Sequence, residues 1–318
     1  MFDLPDSWVW DFWLADDGER YHLFFLYASR ALHDPDRRHL RASIGHAVSD
    51  DLVSWTRVAD ALVRADAPAF DETATWTGSV VRGDDGLWYL FYTGVRFEDG
   101  RNVQRLGYAT STDLMTWHRA PDNPVVESDP RWYELAGNSP WNEETRRDPW
   151  VFRDPDGDGW HLLVTARATE GESLTRGVVG HAVSPDLRSW RVLPPLSEPV
   201  ENGFGQLEVM QVEEIDGRPV LLFVCLPPQA SERRRAQYPR GAIWAAPADS
   251  LTGPYRIDEA YPLADDDLYV GRLLRRRDDG AWLFFAFRHM DADGELVGGV
   301  TDPMPVASQG DRLVVQRP

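Results

Sequence analysis

Three acids, Asp11, Asp148 and Glu208, sit in settings unlike those of ordinary surface carboxylates. Asp11 lies inside the run Val9-Trp10-Asp11-Phe12-Trp13. Rings there favour a strand, and a charge within it is costly to bury unless something pairs with it or uses it. Asp148 follows two arginines in Arg146-Arg147-Asp148-Pro149, and Glu208 begins the run Glu208-Val209-Met210. Taken alone, Asp11 reads as a residue that caps or closes a turn ahead of the first hydrophobic strand. Taken together the three suggest more, because carboxylates held close raise one another's pKa and cost folding energy. Cleavage of a glycosidic bond uses such a set. One carboxylate attacks or activates water, one acid protonates the leaving oxygen, and further groups steady an oxocarbenium-like transition state.

Whether the acids converge depends on the elements that carry them, and here the chain repeats itself. An acid-glycine turn precedes an apolar run five times: Asp16-Asp17-Gly18 before Tyr21-His22-Leu23-Phe24-Phe25, Asp84-Asp85-Gly86 before Trp88-Tyr89-Leu90-Phe91, Asp156-Gly157-Asp158-Gly159 before Trp160-His161-Leu162, Asp216-Gly217 before Val220-Leu221-Leu222, and Asp278-Asp279-Gly280 before Trp282-Leu283-Phe284. Such turns between apolar runs are hairpin signals. A second segment recurs as Gly45-His46-Ala47-Val48-Ser49 through Asp51-Leu52-Val53-Ser54-Trp55, then at 107–117 and 180–190, with degenerate copies at 245–255 and 298–303. In the Asp-Leu-x-x-Trp turn, the Asp is expected to bond within the turn and the Trp to pack between repeats. Units of roughly 60–70 residues, about four short strands each with no helical periodicity, predict an all-β, five-bladed β-propeller of four antiparallel strands per blade. The expectation is one propeller catalytic domain over 1–318. The first strand of each unit then lines a central channel and brings Asp11, Asp148 and Glu208 to one mouth from blades one, three and four.

Composition narrows the partners. The 318 residues carry a net charge of −19 and are 42% hydrophobic, and every basic residue other than histidine is an arginine. So acidic a surface disfavours nucleic acid and anionic membranes but leaves a small neutral carbohydrate unhindered. The single cysteine, Cys225, lies in an apolar run and is expected to be a buried, inert thiol. The first residues lack a basic and an apolar leader region, and no run approaches the roughly 18 apolar residues of a membrane span, so a cytoplasmic protein is expected.

Several segments resemble the five-bladed propeller glycosidases of clan J, glycoside hydrolase families 32 and 68. Tyr-His-Leu-Phe-Phe-Leu-Tyr at 21–27 is similar to the family 32 segment Y-H-L-F-Y-Q-Y, 45–55 to G-H-A-V-S-x-D-L-x-x-W, 76–81 to F-S-G-S-x-V, and Arg147-Asp148-Pro149 to the R-D-P signature. Val9-Trp10-Asp11 is closer to V-W-D-S-W of the levansucrases. The resemblance implies that Asp11 is a nucleophile bonded by Ser79, that Asp148 is a transition-state stabiliser held by Arg147, and that Glu208 is the general acid/base. Trp10, Trp13 and Trp76 would wall the sugar site, with Tyr269 of blade five a further substrate contact. It implies a retaining β-fructofuranosidase on sucrose or short fructo-oligosaccharides, with fructosyl transfer as a second outcome; because the chain ends after blade five, the C-terminal β-sandwich of family 32 is not expected. An inverting pentose glycosidase of the arabinanase and xylosidase type, and a non-catalytic sugar-binding propeller, are the alternatives.

The remaining candidates read as structural. His22, His46, His161 and His181 recur at repeat positions and suit hydrogen bonding within the propeller; no metal and no cofactor is expected. His289 in blade five could face the channel, where related propellers hold an ion. Asp154, Asp156 and Asp158 read as a hairpin tip, since the distal Glu of a calcium loop is missing. Arg233-Arg234-Arg235 and Arg275-Arg276-Arg277 read as solvated runs. The insertions 31–41, 129–145 and 227–240 are expected at the channel mouth.

Overall fold

The protein is described by a computed structural model covering residues 1–136 and 144–317. Each repeat folds into its own four-stranded antiparallel sheet in chain order. The first holds β1 (Ser7–Asp16), β2 (Tyr21–Ser29), β3 (Ser43–Ser49) and β4 (Thr56–Arg57), and the second β5 (Ala74–Arg82), β6 (Trp88–Glu98), β7 (Arg101–Ser111) and β8 (His118–Arg119). The third holds β9 (Arg147–Arg153), β10 (Trp160–Arg167), β11 (Gly177–Ser184) and β12 (Arg191–Leu193). The fourth holds β13 (Glu208–Ile215), β14 (Arg218–Val224), β15 (Gly241–Pro247) and β16 (Tyr261–Asp265), and the fifth β17 (Leu268–Arg275), β18 (Trp282–Arg288), β19 (Met304–Gln309) and β20 (Arg312–Val315). The opening strands touch in a closed cycle, from β1 through β5, β9, β13 and β17 back to β1. The sheets are therefore the blades of a five-bladed propeller.

The turns work as their residues require. In the fourth blade Asp216 and Gly217 (φ +52° and +73°) join Ile215 to Arg218, a two-residue hairpin in which both central residues take positive φ. Asp51, Asp113 and Asp186 each accept two backbone N–H groups, from Val53 and Ser54, Met115 and Thr116, and Arg188 and Ser189. The leucine between is left-handed each time. The tryptophan that follows crosses to the preceding blade: Trp117 meets Phe24 edge-on at 5.8 Å and Trp190 meets Phe91 at 5.5 Å. The histidines pair within blades, His22 with His46 at 2.9 Å and His161 with His181 at 2.8 Å. Hairpin-turn acids meet the member on the blade's second strand, Asp17 bonding His22 at 3.0 Å and Asp154 standing 3.4 Å from His161. Asp154 also accepts the Asp156 N–H, which makes that stretch a hairpin tip.

One expectation is corrected. Arg234 is not solvated: on the short helix Glu232–Gln237 it is 2% exposed and donates to the carbonyls of Asn202, Ile257, Asp258 and Ala260, pinning the 227–240 insertion. Arg277 is tied to Asp16, and its N–H to the Tyr21 hydroxyl, so it joins blade five to blade one.

Candidate active site

Each inner strand carries one extra residue relative to its partner strand, at matching depth. The irregularities fall between Val9 and Phe12, Trp76 and Gly78, Arg147 and Trp150, Glu208 and Gln211, and Tyr269 and Arg272. A bulge breaks the in-out alternation of a strand and re-aims a side chain. Five of them in a ring form the floor of a cleft of about 530 Å³, a size suited to a small organic ligand. Trp10 and Asp11, Trp76 and Thr77, Arg147 and Asp148, Glu208 and Val209, and Tyr269 all line it. Asp148 sits at φ +59°, which Asp tolerates; Val209 and Val270 sit at +50°, where a β-branched residue is strained. Gly78 is required at its bulge, since a Cβ there would lie 2.0 Å from the Phe91 carbonyl oxygen.

The three acids do meet in this cleft. Asp11 accepts a short hydrogen bond from the Thr77 hydroxyl. Burial raises its pKa and the Glu208 charge adds to this, while Thr77, Arg38 and Arg272 oppose it. Asp148 is 3% exposed and accepts from Thr165 Oγ1 at 2.8 Å and from the Val209 N–H at 3.3 Å. Burial pushes it up to about 7, against the pull of the Arg147 guanidinium. Glu208 is gripped on both oxygens, by Arg147 Nη2 at 2.5 Å and by the Tyr269 hydroxyl at 2.5 Å. Arg147 stands 3.5 Å from Asp148, so it serves two of the acids and not Asp148 alone. Burial and the adjoining Glu208 drive the Tyr269 phenol well above its usual range, so it stays a donor.

Two expected contacts fall elsewhere. Ser79 lies beyond the bulge, where its hydroxyl accepts the Val151 N–H at 3.2 Å and ties blade two to blade three; Thr77 occupies the place beside Asp11. Trp13 is fully buried, stacked on Phe24 at 6.1 Å, and belongs to the core rather than the sugar wall. Trp10 and Trp76 do line the cleft, with His39 between them at 6.2 Å from each ring.

The sequence reading assigned no role to Arg38, His39 and Arg272. The first two come from the 31–41 insertion, which reaches the mouth as the 3-10 helix Pro35–Arg41. Arg38 lies over the Trp10 ring at 5.5 Å, and burial with the Arg38 and Arg147 charges lowers His39 to about 3, so its imidazole is neutral. Arg272, 2% exposed beneath the floor, donates to Phe12, Val209 and Met210 carbonyls at 3.2, 3.3 and 2.8 Å and packs over Trp150 at 5.2 Å. One guanidinium thus holds the bulges of blades one and four together. Its position at the end of the blade-five bulge, the counterpart of the stretches holding the acids, was the available signal. His289 faces the cleft, stacked on Tyr269 at 5.0 Å. Among the described residues no group of three or more His, Cys, Asp or Glu side chains could hold a metal ion. Gln229 brings the 227–240 insertion to the cleft, whereas part of 129–145 lies outside the described residues.

Three carboxylates converging on one cleft offer the groups that cleavage of a glycosidic bond uses. The chain belongs to the glycosyl hydrolases of family 32: the profile of that family's N-terminal domain matches residues 13–261, which include Asp148 and Glu208 and begin just past Asp11. Sucrose-6-phosphate hydrolase of Bacillus subtilis is 30% identical over 210 residues, 64% of this chain and 38% of that protein. Beta-fructofuranosidase, insoluble isoenzyme CWINV6, of Arabidopsis thaliana is 29% identical over 183 residues, 56% of this chain and 30% of that protein. The matches thus span about a third of these curated relatives' own length. Among solved structures, the inulosucrase of Halalkalicoccus jeotgali bound to kestose superposes with a TM-score of 0.76 at 23% identity, over 98% of this chain and 87% of that one. The family 32 beta-fructofuranosidase BmSUC1 of Bombyx mori gives 0.75 at 20%, over 98% and 63%. At these identities the superpositions speak for the fold.

Proposed function

We propose that this protein is a retaining glycoside hydrolase acting on β-fructofuranosides such as sucrose and short fructo-oligosaccharides. The observation that carries the reading is the meeting of Asp11, Asp148 and Glu208 on three bulges of one cleft, each with its own set of donors. Family membership and the two named relatives support the substrate class. In the reaction Asp11 attacks the anomeric carbon while Glu208 protonates the glycosidic oxygen, and the leaving sugar departs. Glu208 then takes a proton from water, which attacks the fructosyl ester and releases Asp11 with overall retention. Asp148 binds hydroxyls of the fructosyl ring, and Thr77 and Tyr269 orient the two reacting carboxyl groups. Trp10 and Trp76 offer the ring flat apolar faces. Arg38, Arg147 and Arg272 offset the charge of the three acids, so the cleft suits a neutral sugar. A sugar hydroxyl in place of water as acceptor gives fructosyl transfer.

The test is Asp11→Ala and Glu208→Ala assayed on a panel of furanosides, with the product anomer read by NMR. Loss of sucrose cleavage in both variants and a retained anomer are expected. Inversion, or turnover of arabinofuranosides and xylosides alone, would replace this reading with the pentose glycosidase, and unchanged turnover would remove the enzyme. A cytoplasmic location is part of the proposal; activity recovered from the medium of producing cells would overturn it. Among the described residues no helix is long and apolar enough to cross a membrane.

A further inference from the structure

The hairpin β6–β7 runs on past its blade: its ladder continues from Thr93↔Leu106 to Glu98↔Arg101. Asp99 and Gly100, at φ +50° and +79°, make the two-residue turn that Asp-Gly favours. Alternation along the two strands then sorts their side chains. Phe97 and Asn102, paired across the ladder, face the catalytic cleft, while Arg96, Glu98 and Val103 face a separate hollow. The hairpin is fixed from outside by Thr73, whose hydroxyl accepts the Phe97 N–H at 3.1 Å, and by an Arg96–Glu98 ion pair on the far face. On the cleft side two features lack a partner among the described residues. Phe97 is 50% exposed, and the Oδ1 of Asn102 is buried with no hydrogen bond. A buried carbonyl left unpaired is costly, and an open ring beside it is the combination that a sugar, with its apolar C–H face and its hydroxyls, would complete.

The floor decides which sugar ring this is. Below the bulges Arg272, 2% exposed, closes the floor by donating to the carbonyls of Phe12 in blade one and of Val209 and Met210 in blade four. A glycosyl unit that reaches Asp11 is at a dead end, and the rest of its chain must leave through the mouth, where the hairpin stands. We propose that Phe97 and Asn102 form a subsite for a further sugar ring of the leaving group, Phe97 stacking on the ring and Asn102 Oδ1 accepting one of its hydroxyl protons. The substrate this cleft prefers is then an oligosaccharide of three rings or more. The assignment rests on the glycosidase reading above and deepens it.

The experiment compares kestose with sucrose for the unaltered protein, Phe97→Ala and Asn102→Ala. Phe97 is exposed, so its truncation leaves the fold intact. The ratio of kcat/KM for the trisaccharide to that for the disaccharide should fall about tenfold in Phe97→Ala and less in Asn102→Ala. Ratios unchanged in both variants would overturn the subsite. If the protein cleaves arabinofuranosides and no fructoside, the fructosidase reading fails by itself, and arabinotriose against arabinobiose gives the same ratio test. If it cleaves neither, calorimetric Kd values for kestose and sucrose take their place, and an equal ratio in the unaltered and Phe97→Ala proteins overturns the proposal.

Discussion

Glu208 owes its position to two donors, Arg147 and Tyr269, that come from different blades. In the proposed reaction Glu208→Gln removes the general acid/base while leaving most of that setting, and kcat should drop by about 10²–10⁴-fold, the usual share of general acid–base catalysis. Thr77→Val acts through Asp11. The hydroxyl lowers the pKa of Asp11, so its loss raises it, and attack needs the ionised form. The acidic limb of the kcat/KM profile should therefore move to higher pH by about one unit, the size of one hydrogen bond to a charged group. Asp148 bears a cost to the fold, because its folded pKa of about 7 lies above the ordinary carboxyl value. The folded protein binds the extra proton, so this penalty is absent below about pH 4 and complete above about pH 7. Asp148→Asn should abolish turnover yet raise the Tm by a few degrees at pH 8, and the gain should vanish at pH 4. Calorimetry at the two pH values decides it.

At the scale of elements, the chemistry sits on bulges and the stability on the regular parts of the blades. Trp117 closes the joint between blades one and two against Phe24. Trp117→Ala should cost about 2–3 kcal/mol in urea unfolding, less than a fully buried ring because Trp117 is half-buried. The hairpin strands, the acid-glycine turns and the Asp-Leu-x-x-Trp corners were all legible in the sequence, since each rests on residues near one another in the chain. Asp99-Gly100 carries the same turn signal as the other five pairs and could have been read in the same way. The bulges were not legible. An extra residue shows only against the partner strand, and the misassignment of Ser79 and Trp13 follows from that: each lies past the extra residue, where the simple alternation of a strand no longer tells which side faces the cleft.

Across the whole molecule, buried histidines and buried carboxyls pull stability in opposite directions with pH. Burial lowers His39 and His46 to about 3 and His181 to about 4, so the unfolded chain binds more protons between those values and about pH 6.5, and stability is lost as pH falls through this range. Asp148 and Glu213, both near 7, work the other way over much the same range. Burial lowers His22 and His289 as well and raises Asp11, so the lowered histidines outnumber the raised carboxyls and the net expectation is acid sensitivity. Unfolding free energy measured by urea should decline from pH 6.5 to pH 4, and His46→Gln should flatten the decline. The repeat, the five blades and the meeting of the three acids at one mouth were legible in the sequence alone, because periodic hairpins leave a periodic record in residue types. What only the tertiary structure decided is how the blades share their charges. Arg147 spans Asp148 and Glu208, Arg272 locks two bulges from below, and Arg38 arrives from an insertion between β2 and β3. Those pairings join residues far apart in the chain, and they exist only once the ring has closed and the bulges have turned the side chains onto its axis.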